Sequence, residues 1–261
     1  MKVVLFCGGL GMRLREYSES VPKPMVPIGY RPILWHVMKY YAHYGHKDFI
    51  LCLGYRGDVV KEYFRNYDET VTNNFVRAGH VIELLGSDTH DWRITLVDTG
   101  VKANIGQRLV AVRPYIEPDE MFLANYSDGL SDAPLDEMID RFVASDSAAS
   151  FLAVRPNLSS HFVTLNGDDR VHEIRDVTQS DLRINGGFFV LRRQVFDYIR
   201  PGEDLVPEPF KRMMTAGKLM SHRYDGFWVS MDTFKDRAML EELNDSEHAP
   251  WQVWKDRRAY A

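Results

Sequence analysis

The chain has 261 residues, of which 45% are hydrophobic and 26% charged, the composition of an ordinary globular protein. Its 32 basic and 37 acidic residues give a net charge of −5, which argues against a nucleic-acid partner because such proteins carry basic patches. No stretch approaches the roughly eighteen apolar residues of a membrane span. The apolar run 2–7 is too short for a signal peptide, since glycines and Arg13 follow it. We therefore expect a cytoplasmic protein that neither crosses a membrane nor binds nucleic acid.

The chain begins with alternating buried strands and amphipathic helices. Helices are predicted where apolar residues recur at i, i+3, i+4 and i+7, and strands where apolar residues run together. The predicted strands cover 2–7, 48–53, 93–98, 121–126 and 148–154, and the predicted helices cover 33–44, 58–67, about 106–112, and 135–143. This alternation is typical of a parallel sheet with helices on both faces. Residues 68–92 are polar and irregular, with one weak strand at 80–85, and are interpreted as an insertion.

After Pro156 the pattern changes to shorter strands. The strands of this part are predicted at 162–165, 171–176, 184–191 and about 220–224, and its helices at 206–217 and 233–243. We therefore predict a single α/β domain with a Rossmann-like, mostly parallel mixed sheet, helices on both faces and a more antiparallel C-terminal third.

Two cysteines, Cys7 and Cys52, each lie at the end of an apolar run. They form no CxxC pair and have no metal-ligand spacing, so we interpret them as reduced thiols in the core. Reduced thiols are typical of the cytoplasm.

The first strand is followed by a glycine-rich turn, Gly8-Gly9-Leu10-Gly11-Met12-Arg13. Glycines after a buried strand let the backbone N–H groups approach a phosphate, although a tight turn without a ligand gives the same pattern. A Walker A loop is excluded because Lys and Ser or Thr do not follow Gly11. A dinucleotide fingerprint is excluded because its third small residue and its ribose-binding acid are missing. The turn therefore fits a phosphate cradle of another kind.

Lys23 stands between Pro22 and Pro24, ten residues after Arg13. Prolines on both sides hold the lysine on a stiff extended segment, which positions one compact cation. An isolated lysine of this kind is more often a solvated loop residue. Following a glycine turn that carries Arg13, it instead indicates a local positive site for a polyphosphate.

Two aspartates follow predicted extended segments, Asp128 after 121–126 and Asp232 after 226–231. The carboxyl ends of strands are where α/β sheets bind ligands, and carboxylates near phosphates are natural Mg²⁺ ligands. Asp128 could also be an ordinary turn residue. Asp232, just before Thr233 and a helix, could also be a helix N-cap.

Taken in order, these motifs resemble the sugar-1-phosphate nucleotidyltransferases, and most of all their glucose-1-phosphate cytidylyltransferase branch. The resemblance covers nearly the whole chain and rests on GGLGMRL (8–14), PKPM (22–25), TLVDTG (95–100), GQRL (106–109), INGGFFVL (184–191), FWVSMDT (227–233) and HAPWQVW (248–254). It implies a fold of the nucleotide-diphospho-sugar transferase type. Residues 1–155 would then form the nucleotide-binding part, 156–247 the sugar-phosphate-binding part, and 248–261 a tail.

The resemblance also implies a reaction and a set of site residues. A sugar 1-phosphate would attack the α-phosphate of CTP in line, giving a CDP-sugar and pyrophosphate with Mg²⁺ as cofactor. Because a phosphate nucleophile is already ionised, no general base is required. The implied residues are Arg13 and Lys23 on the triphosphate; Gly8, Gly9, Gly11, Met12 and Arg108 at the nucleotide; Asn185, Gly186 and Glu208 at the sugar; and Asp128 and Asp232 at the metal.

This chain departs from the family pattern, mostly on the sugar side. The family's Glu-Lys-Pro lysine, which meets the sugar phosphate, is absent from 172–178, where Arg175 is the available cation. His161-Phe162-Val163 replaces a segment with a glycine, Met12 replaces a Ser or Thr, and Ser127 replaces a glycine before the metal aspartate. We therefore expect an acceptor other than plain glucose 1-phosphate, or a different mode of binding it.

Other interpretations remain open at this point. A non-catalytic paralogue that binds a nucleotide or sugar nucleotide would explain Met12 and the absent lysine, and another nucleoside triphosphate could replace CTP. Relatives are homo-oligomers, so Trp251 and Trp254 in the tail either pack on their own sheet or form a subunit contact.

Overall fold

The structure is a computed structural model that describes residues 1–9, 21–156, 161–177, 181–246 and 248–255. Its main element is a large mixed sheet. The strands of this sheet are β1 (Lys2–Phe6), β4 (Asp48–Leu53), β7 (Arg93–Asp98), β8 (Met121–Tyr126), β10 (Ala149–Val154), β13 (Ile184–Asn185), β14 (Phe189–Arg192) and β15 (Leu219–Tyr224). They follow the order β13-β10-β14-β8-β1-β4-β7, and β15 pairs with β10.

The first part of this sheet is parallel and the later part is mixed, as predicted. β1 pairs in parallel with β4 and β8, and β4 pairs in parallel with β7. β14 runs antiparallel to both β8 and β10, whereas β15 is parallel to β10. The predicted strand 184–191 is interrupted at 186–188, where Gly187 has φ +76° and Phe188 has φ +49°. The two pieces, β13 and β14, pair with successive parts of β10.

Helices cover both faces of the sheet. They are α1 (Ile33–His43), α2 (Gly57–Arg65), α3 (Ile105–Ile116), α4 (Leu135–Val143), α5 (Glu208–Thr215) and α6 (Phe234–Asp245). Alternate residues of β1 contribute to two separate cores: Val3 and Leu5 pack with α1 and α4, and Val4 and Phe6 pack with α3 and α5. Strands that are buried on both faces read as continuous apolar runs, which is why the sequence predicted them within a residue or two.

The described residues also form four small two-stranded sheets. They are formed by β2 (Pro27–Ile28) with β3 (Arg31–Pro32), β5 (Phe75–Ala78) with β6 (Val81–Leu84), β9 (Gly129–Ser131) with β16 (Trp228–Ser230), and β11 (His161–Leu165) with β12 (Val171–Asp176). The insertion at 68–92 therefore holds a hairpin of two strands, where the sequence predicted one weak strand. Both strands of this hairpin are exposed, so no buried face gave a strong pattern in the sequence.

The tail folds back on its own domain. Trp251 is 1% exposed, stacks on Phe227 and donates a hydrogen bond from Nε1 to His36 Nδ1 at 3.3 Å. Of the two interpretations of the tail, the structure therefore supports packing on its own core for Trp251. Trp254 is partly buried and meets Trp35 edge to face.

Cys7 and Cys52 are free, buried thiols. Cys7 belongs to the core on one face of the sheet and Cys52 to the core on the other. Burial raises the pKa of both thiols, that of Cys52 to about 12. Within the part of the chain that the structure describes, no helix is long and apolar enough to cross a membrane.

Candidate functional site

The carboxyl ends of β1, β4, β7, β8, β10 and β15 meet at one edge of the sheet, because these strands share one direction. We call this the site edge. In open α/β sheets ligands bind at this edge, where loops leave the strands. The described residues with the strongest chemical character lie along it.

One cluster on the site edge joins three of the predicted residues. Lys23 Nζ lies 2.5 Å from Asp128 Oδ2 and 2.8 Å from Asp232 Oδ1. The two carboxylate oxygens therefore cannot be farther apart than the sum of these distances. Burial alone would lower the pKa of Lys23, but the adjoining Asp128 and Asp232 carboxylates raise it above its ordinary value. The cluster holds one positive and two negative charges.

The segment around Lys23 is rigid. Lys23–Met25 forms a 3₁₀ turn, closed by Met25 N donating to Pro22 O at 2.8 Å and Val26 N donating to Lys23 O at 3.1 Å. Pro24 and Met25 are buried beneath it. The predicted extended conformation is therefore wrong for Lys23, because the residue begins a 3₁₀ turn. The hydrogen bonds of this turn hold the backbone in place, and the lysine side chain carries the remaining freedom.

The pairing of β9 with β16 brings the two aspartates together. Ser230 lies opposite Gly129, and Met231 N donates to Asp128 O at 3.0 Å. The N-cap of α6 is Thr233, whose hydroxyl accepts from Asp236 N in a capping box. The alternative interpretation of Asp232 as this N-cap is therefore wrong, and its carboxylate faces Lys23 instead.

The side chain of Arg108 forms hydrogen bonds at the ends of three strands, β1, β4 and β7. Its side chain, 3% exposed, donates to Gly8 O at 3.0 Å, Leu53 O at 2.9 Å and Thr99 Oγ1 at 2.6 Å. It reaches them from the first turn of α3, which starts at a capping box formed by Asn104 with Gln107. Burial lowers the pKa of the guanidinium. The predicted basic position thus lies directly behind the glycine turn.

Gly8 leaves the space that the Arg108 guanidinium occupies. A Cβ at Gly8 would stand 2.1 Å from Arg108 Nη1, whereas a Cβ at Gly9 would meet nothing within 4 Å among the described residues. A Cβ at Gly54, which follows β4, would lie 2.8 Å from Gly8 O and 2.9 Å from Arg108 Nη1. In the sequence analysis, the glycine at position 8 was attributed to the approach of the backbone to a phosphate. The structure adds a packing reason for this glycine, which the sequence pattern does not reveal. Gly11, Met12 and Arg13 lie outside the described residues.

Ser127, the residue that departs from the family's glycine, is buried. Its hydroxyl donates to Phe6 O at 2.8 Å and so satisfies a carbonyl at the end of β1. This contact accounts for a hydroxyl side chain just before Asp128.

Asn185 and Gly186 lie at the break between β13 and β14. Gly187 N donates to Asn185 Oδ1 at 2.9 Å, and Trp228 Nε1 donates to Gly186 O at 2.8 Å. The side chain of Asn185 also forms a hydrogen bond with the side chain of Tyr126. Burial raises the pKa of Tyr126 to about 12. The structure therefore places both predicted sugar residues beside β8 and β16, the elements that lead to Asp128 and Asp232.

Arg175 and Glu208 lie apart from this group. Arg175 stands on the β11–β12 hairpin, is exposed and pairs with Glu173 of the same strand. Glu208 is the exposed first residue of α5. Their contribution to sugar binding stays a prediction.

Sequence reasoning missed an ionic clamp at the base of the β11–β12 hairpin. Asp225, which follows β15, accepts from Arg155 Nε at 2.9 Å and from Arg183 Nη2 at 2.6 Å. These arginines flank the hairpin on either side, and together they hold the pKa of Asp225 at about 2. Arg183 also donates to Ala153 O and Tyr224 O, at the ends of β10 and β15. No motif in the sequence marked these residues, because their proximity arises from the sheet.

Comparison with known proteins gives a consistent result. A nucleotidyl transferase family model matches residues 2–247. The chain is 40% identical over 261 residues to a glucose-1-phosphate cytidylyltransferase of Salmonella typhimurium, covering 98% of this chain and 100% of the relative. It is 38% identical over 259 residues to a probable glucose-1-phosphate cytidylyltransferase of Bacillus subtilis, covering 97% of this chain and 100% of the relative.

Solved structures share the fold. The crystal structure of HddC from Yersinia pseudotuberculosis superposes with a TM-score of 0.62 at 18% identity, covering 92% of this chain and 98% of that one. A Bacillus anthracis structure, presented as a candidate glucose-1-phosphate thymidylyltransferase in complex with sucrose, gives a TM-score of 0.67 at 16% identity, with 93% and 94% covered. The predicted fold class is confirmed.

Proposed function

Since the chain belongs to the nucleotidyl transferase family, we propose that it transfers a cytidylyl group from CTP to a sugar 1-phosphate. The acceptor is glucose 1-phosphate or a related phosphorylated compound, and the products are a CDP-sugar and pyrophosphate. The observation that carries this proposal is the convergence of Lys23, Asp128 and Asp232 on the site edge, in a chain 40% identical to a curated cytidylyltransferase.

The reaction is an in-line displacement at the α-phosphorus of CTP. An oxygen of the acceptor phosphate forms the new P–O bond, and the bond from the α-phosphorus to the bridging oxygen of pyrophosphate breaks. The acceptor phosphate is already ionised near neutral pH, so its attack needs no base. The chain's contribution is therefore positioning and charge, as in other phosphoryl transfers.

Asp128 and Asp232 fit a divalent cation, which we propose is Mg²⁺. Mg²⁺ takes one or two protein carboxylates and completes its shell with phosphate oxygens and water. The two carboxylates already face a common cation, the ammonium of Lys23, which shows that their oxygens can converge on one positive charge. When bound, the cation supplies positive charge to the phosphate oxygens where negative charge develops.

The remaining roles are assigned from the family to which the chain belongs, and for Arg108, Asn185 and Gly186 their positions on the site edge support the assignment. Arg108 places a buried positive charge behind Gly8 and Gly9, where the triphosphate would lie along the glycine turn with Gly11, Met12 and Arg13. Asn185 and Gly186 line the sugar. The family resemblance assigns Arg175 of the hairpin and Glu208 of α5 to the acceptor as well, although both lie apart from the cluster.

We also propose that the protein acts in the cytoplasm, where nucleoside triphosphates are available and buried thiols stay reduced. We further propose that it is a homo-oligomer. The support for this is the exposed apolar surface of the β5–β6 and β11–β12 hairpins, for example Val81 at 65% and Ile174 at 60% exposure. Light scattering during gel filtration tests the subunit number, and a monomer at micromolar concentration contradicts the proposal.

The function is tested by pyrophosphate release from CTP, with Mg²⁺ and a panel of sugar phosphates that includes glucose 1-phosphate. We expect turnover with at least one acceptor, and a loss of at least about 100-fold in Asp128→Asn and Asp232→Asn, the order found when a positioned electrostatic group is removed. The matched control is Asp146→Asn, whose side chain is 84% exposed and pairs with Lys218 away from the cluster, and which should keep full activity. Binding of CTP without turnover across the panel would instead indicate a non-catalytic relative.

A further inference from the structure

Lys23 occupies the place between Asp128 and Asp232 where a cation would bind. Its ammonium contacts both carboxylates at hydrogen-bond distance, and its side chain is 16% exposed. A divalent cation held by the same two carboxylates, through these oxygens or through the other oxygen of each, would lie within a few ångströms of the ammonium and be repelled by it. The lysine and the metal are therefore competitors for one anionic site.

We propose that Lys23 is an internal counter-ion that holds the metal site closed until a nucleotide binds. This inference rests on the proposed function, because the triphosphate is what would draw the ammonium away from the aspartates. It assigns Lys23 two positions, one on the carboxylates in the free protein and one on phosphate in the complex. The protein then takes up its divalent cation together with the nucleotide rather than before it.

The fixed backbone of the Lys23 segment makes such a switch a side-chain movement. The 3₁₀ turn and the buried Pro24 and Met25 hold the Cα in place, while the flexible four-carbon stem of a lysine allows its ammonium to move by several ångströms. The Asp232 side chain is 41% exposed and that of Asp128 is 20% exposed, so a phosphate can reach Lys23 from solvent. No rearrangement of the sheet is needed.

The charge balance favours this order of binding. With Lys23 in place the cluster has a net charge of −1, which attracts a divalent cation less than the −2 of the two carboxylates alone. When the ammonium pairs with phosphate, the full charge of both aspartates becomes available. Nucleotide and metal must then favour each other reciprocally, since coupling between two ligands is equal in both directions.

The test measures the binding of Mn²⁺ alone, without nucleotide, from the electron paramagnetic resonance signal of the free ion. We expect Lys23→Met to bind one Mn²⁺ at least 10-fold more tightly than the wild type. Lys23→Arg keeps a positive charge and should stay near the wild-type affinity. Lys39→Met is the matched control, because Lys39 forms its ion pair with Asp88, away from the cluster, and it should also leave the affinity unchanged.

Adding Asp128→Asn to Lys23→Met locates the bound ion, and the gain in affinity should disappear. Circular dichroism establishes that each variant is folded, and Lys23→Gln is a second neutral variant should Lys23→Met fail to fold. Equal Mn²⁺ affinities in wild type and neutral variants would overturn the proposal, as would a gain that survives Asp128→Asn.

This result is separable from the proposed function. Wild-type turnover of CTP with weak Mn²⁺ binding that Lys23→Met does not improve would retain the transferase and remove the counter-ion role. A gain in Mn²⁺ affinity in Lys23→Met, together with a wild type that turns over no nucleotide, would support the counter-ion role and remove the transferase.

Discussion

Gly8 and Gly9 are neighbours, and the structure predicts opposite consequences for the same substitution at each. In Gly8→Ala the new Cβ would lie 2.1 Å from Arg108 Nη1 and 2.2 Å from Cζ, so the guanidinium has to leave its place. It then loses or weakens its hydrogen bonds to Gly8 O, Leu53 O and Thr99 Oγ1. In Gly9→Ala the new Cβ meets no described atom within 4 Å.

The magnitude follows from these bonds. A hydrogen bond that involves a charged group contributes roughly 1.5–3 kcal/mol, so displacing Arg108 should lower the free energy of unfolding by about 3 kcal/mol. The cost should be less than that of three lost hydrogen bonds, because Leu53 O still accepts from Thr99 N and Thr99 Oγ1 when Arg108 is displaced. Gly9→Ala should stay within about 0.5 kcal/mol of the wild type.

Urea unfolding followed by circular dichroism measures both variants. A double-mutant cycle identifies the cause, since in an Arg108→Met background the cost of Gly8→Ala should fall below about 1 kcal/mol. If Gly8→Ala unfolds like Gly9→Ala, or if its cost is unchanged in the Arg108→Met background, the packing argument is wrong.

Two further predictions concern His36, the α1 residue that contacts Trp251 of the tail, and the β11–β12 hairpin. Burial lowers the pKa of His36 from its ordinary 6.5 to about 4, so the unfolded chain binds its proton first as the pH falls. Stability from this group is complete above pH 6.5 and is lost towards pH 4, by at most about 3 kcal/mol. His36→Gln should reduce this dependence in thermal melts and leave the part due to His46, whose pKa burial also lowers to about 4. His43→Gln, on the exposed side of α1, should not change it, and identical pH profiles for wild type and His36→Gln would contradict the prediction. At the hairpin, Asp225→Asn weakens the clamp to Arg155 and Arg183. Hydrogen exchange in β11 and β12 should therefore become faster. The KM for the acceptor should rise about 5-fold, and the KM for CTP should stay unchanged. Asp168→Asn, an exposed ion pair within the hairpin itself, is the control, and equal exchange in both variants would refute the clamp.

Much of the fold was predictable because the central strands are buried on both faces. Residues 48–53 and 121–126 were predicted with the observed bounds, since continuous apolar runs between turns leave little ambiguity. Residues 93–98 were also predicted with the observed bounds, although this strand ends the strand order of the sheet and is only partly buried. The exposed β5–β6 hairpin was missed in part, since neither of its faces is buried and its alternation carries little signal.

The site was predictable where one segment carries its own chemistry. Lys23 between two prolines and Asp128 after a strand were identified from the sequence, and the structure brings them into contact. The ionic clamp on Asp225 was not identified, because it depends on the ends of β10 and β15 lying beside the start of β13. The sequence left open whether Asp232 is the N-cap of α6. The structure excludes this role because the next residue, Thr233, is the N-cap.

The most direct test of the proposed function is the identity of the product. Purified protein with Mg²⁺, CTP and glucose 1-phosphate or a related sugar phosphate should give a CDP-sugar and pyrophosphate in equal amounts, detected by mass spectrometry and a pyrophosphate assay. Faster transfer from another nucleoside triphosphate would contradict the assignment of CTP. Release of pyrophosphate without a nucleotide joined to the acceptor, or no release with any acceptor, would contradict the transferase itself.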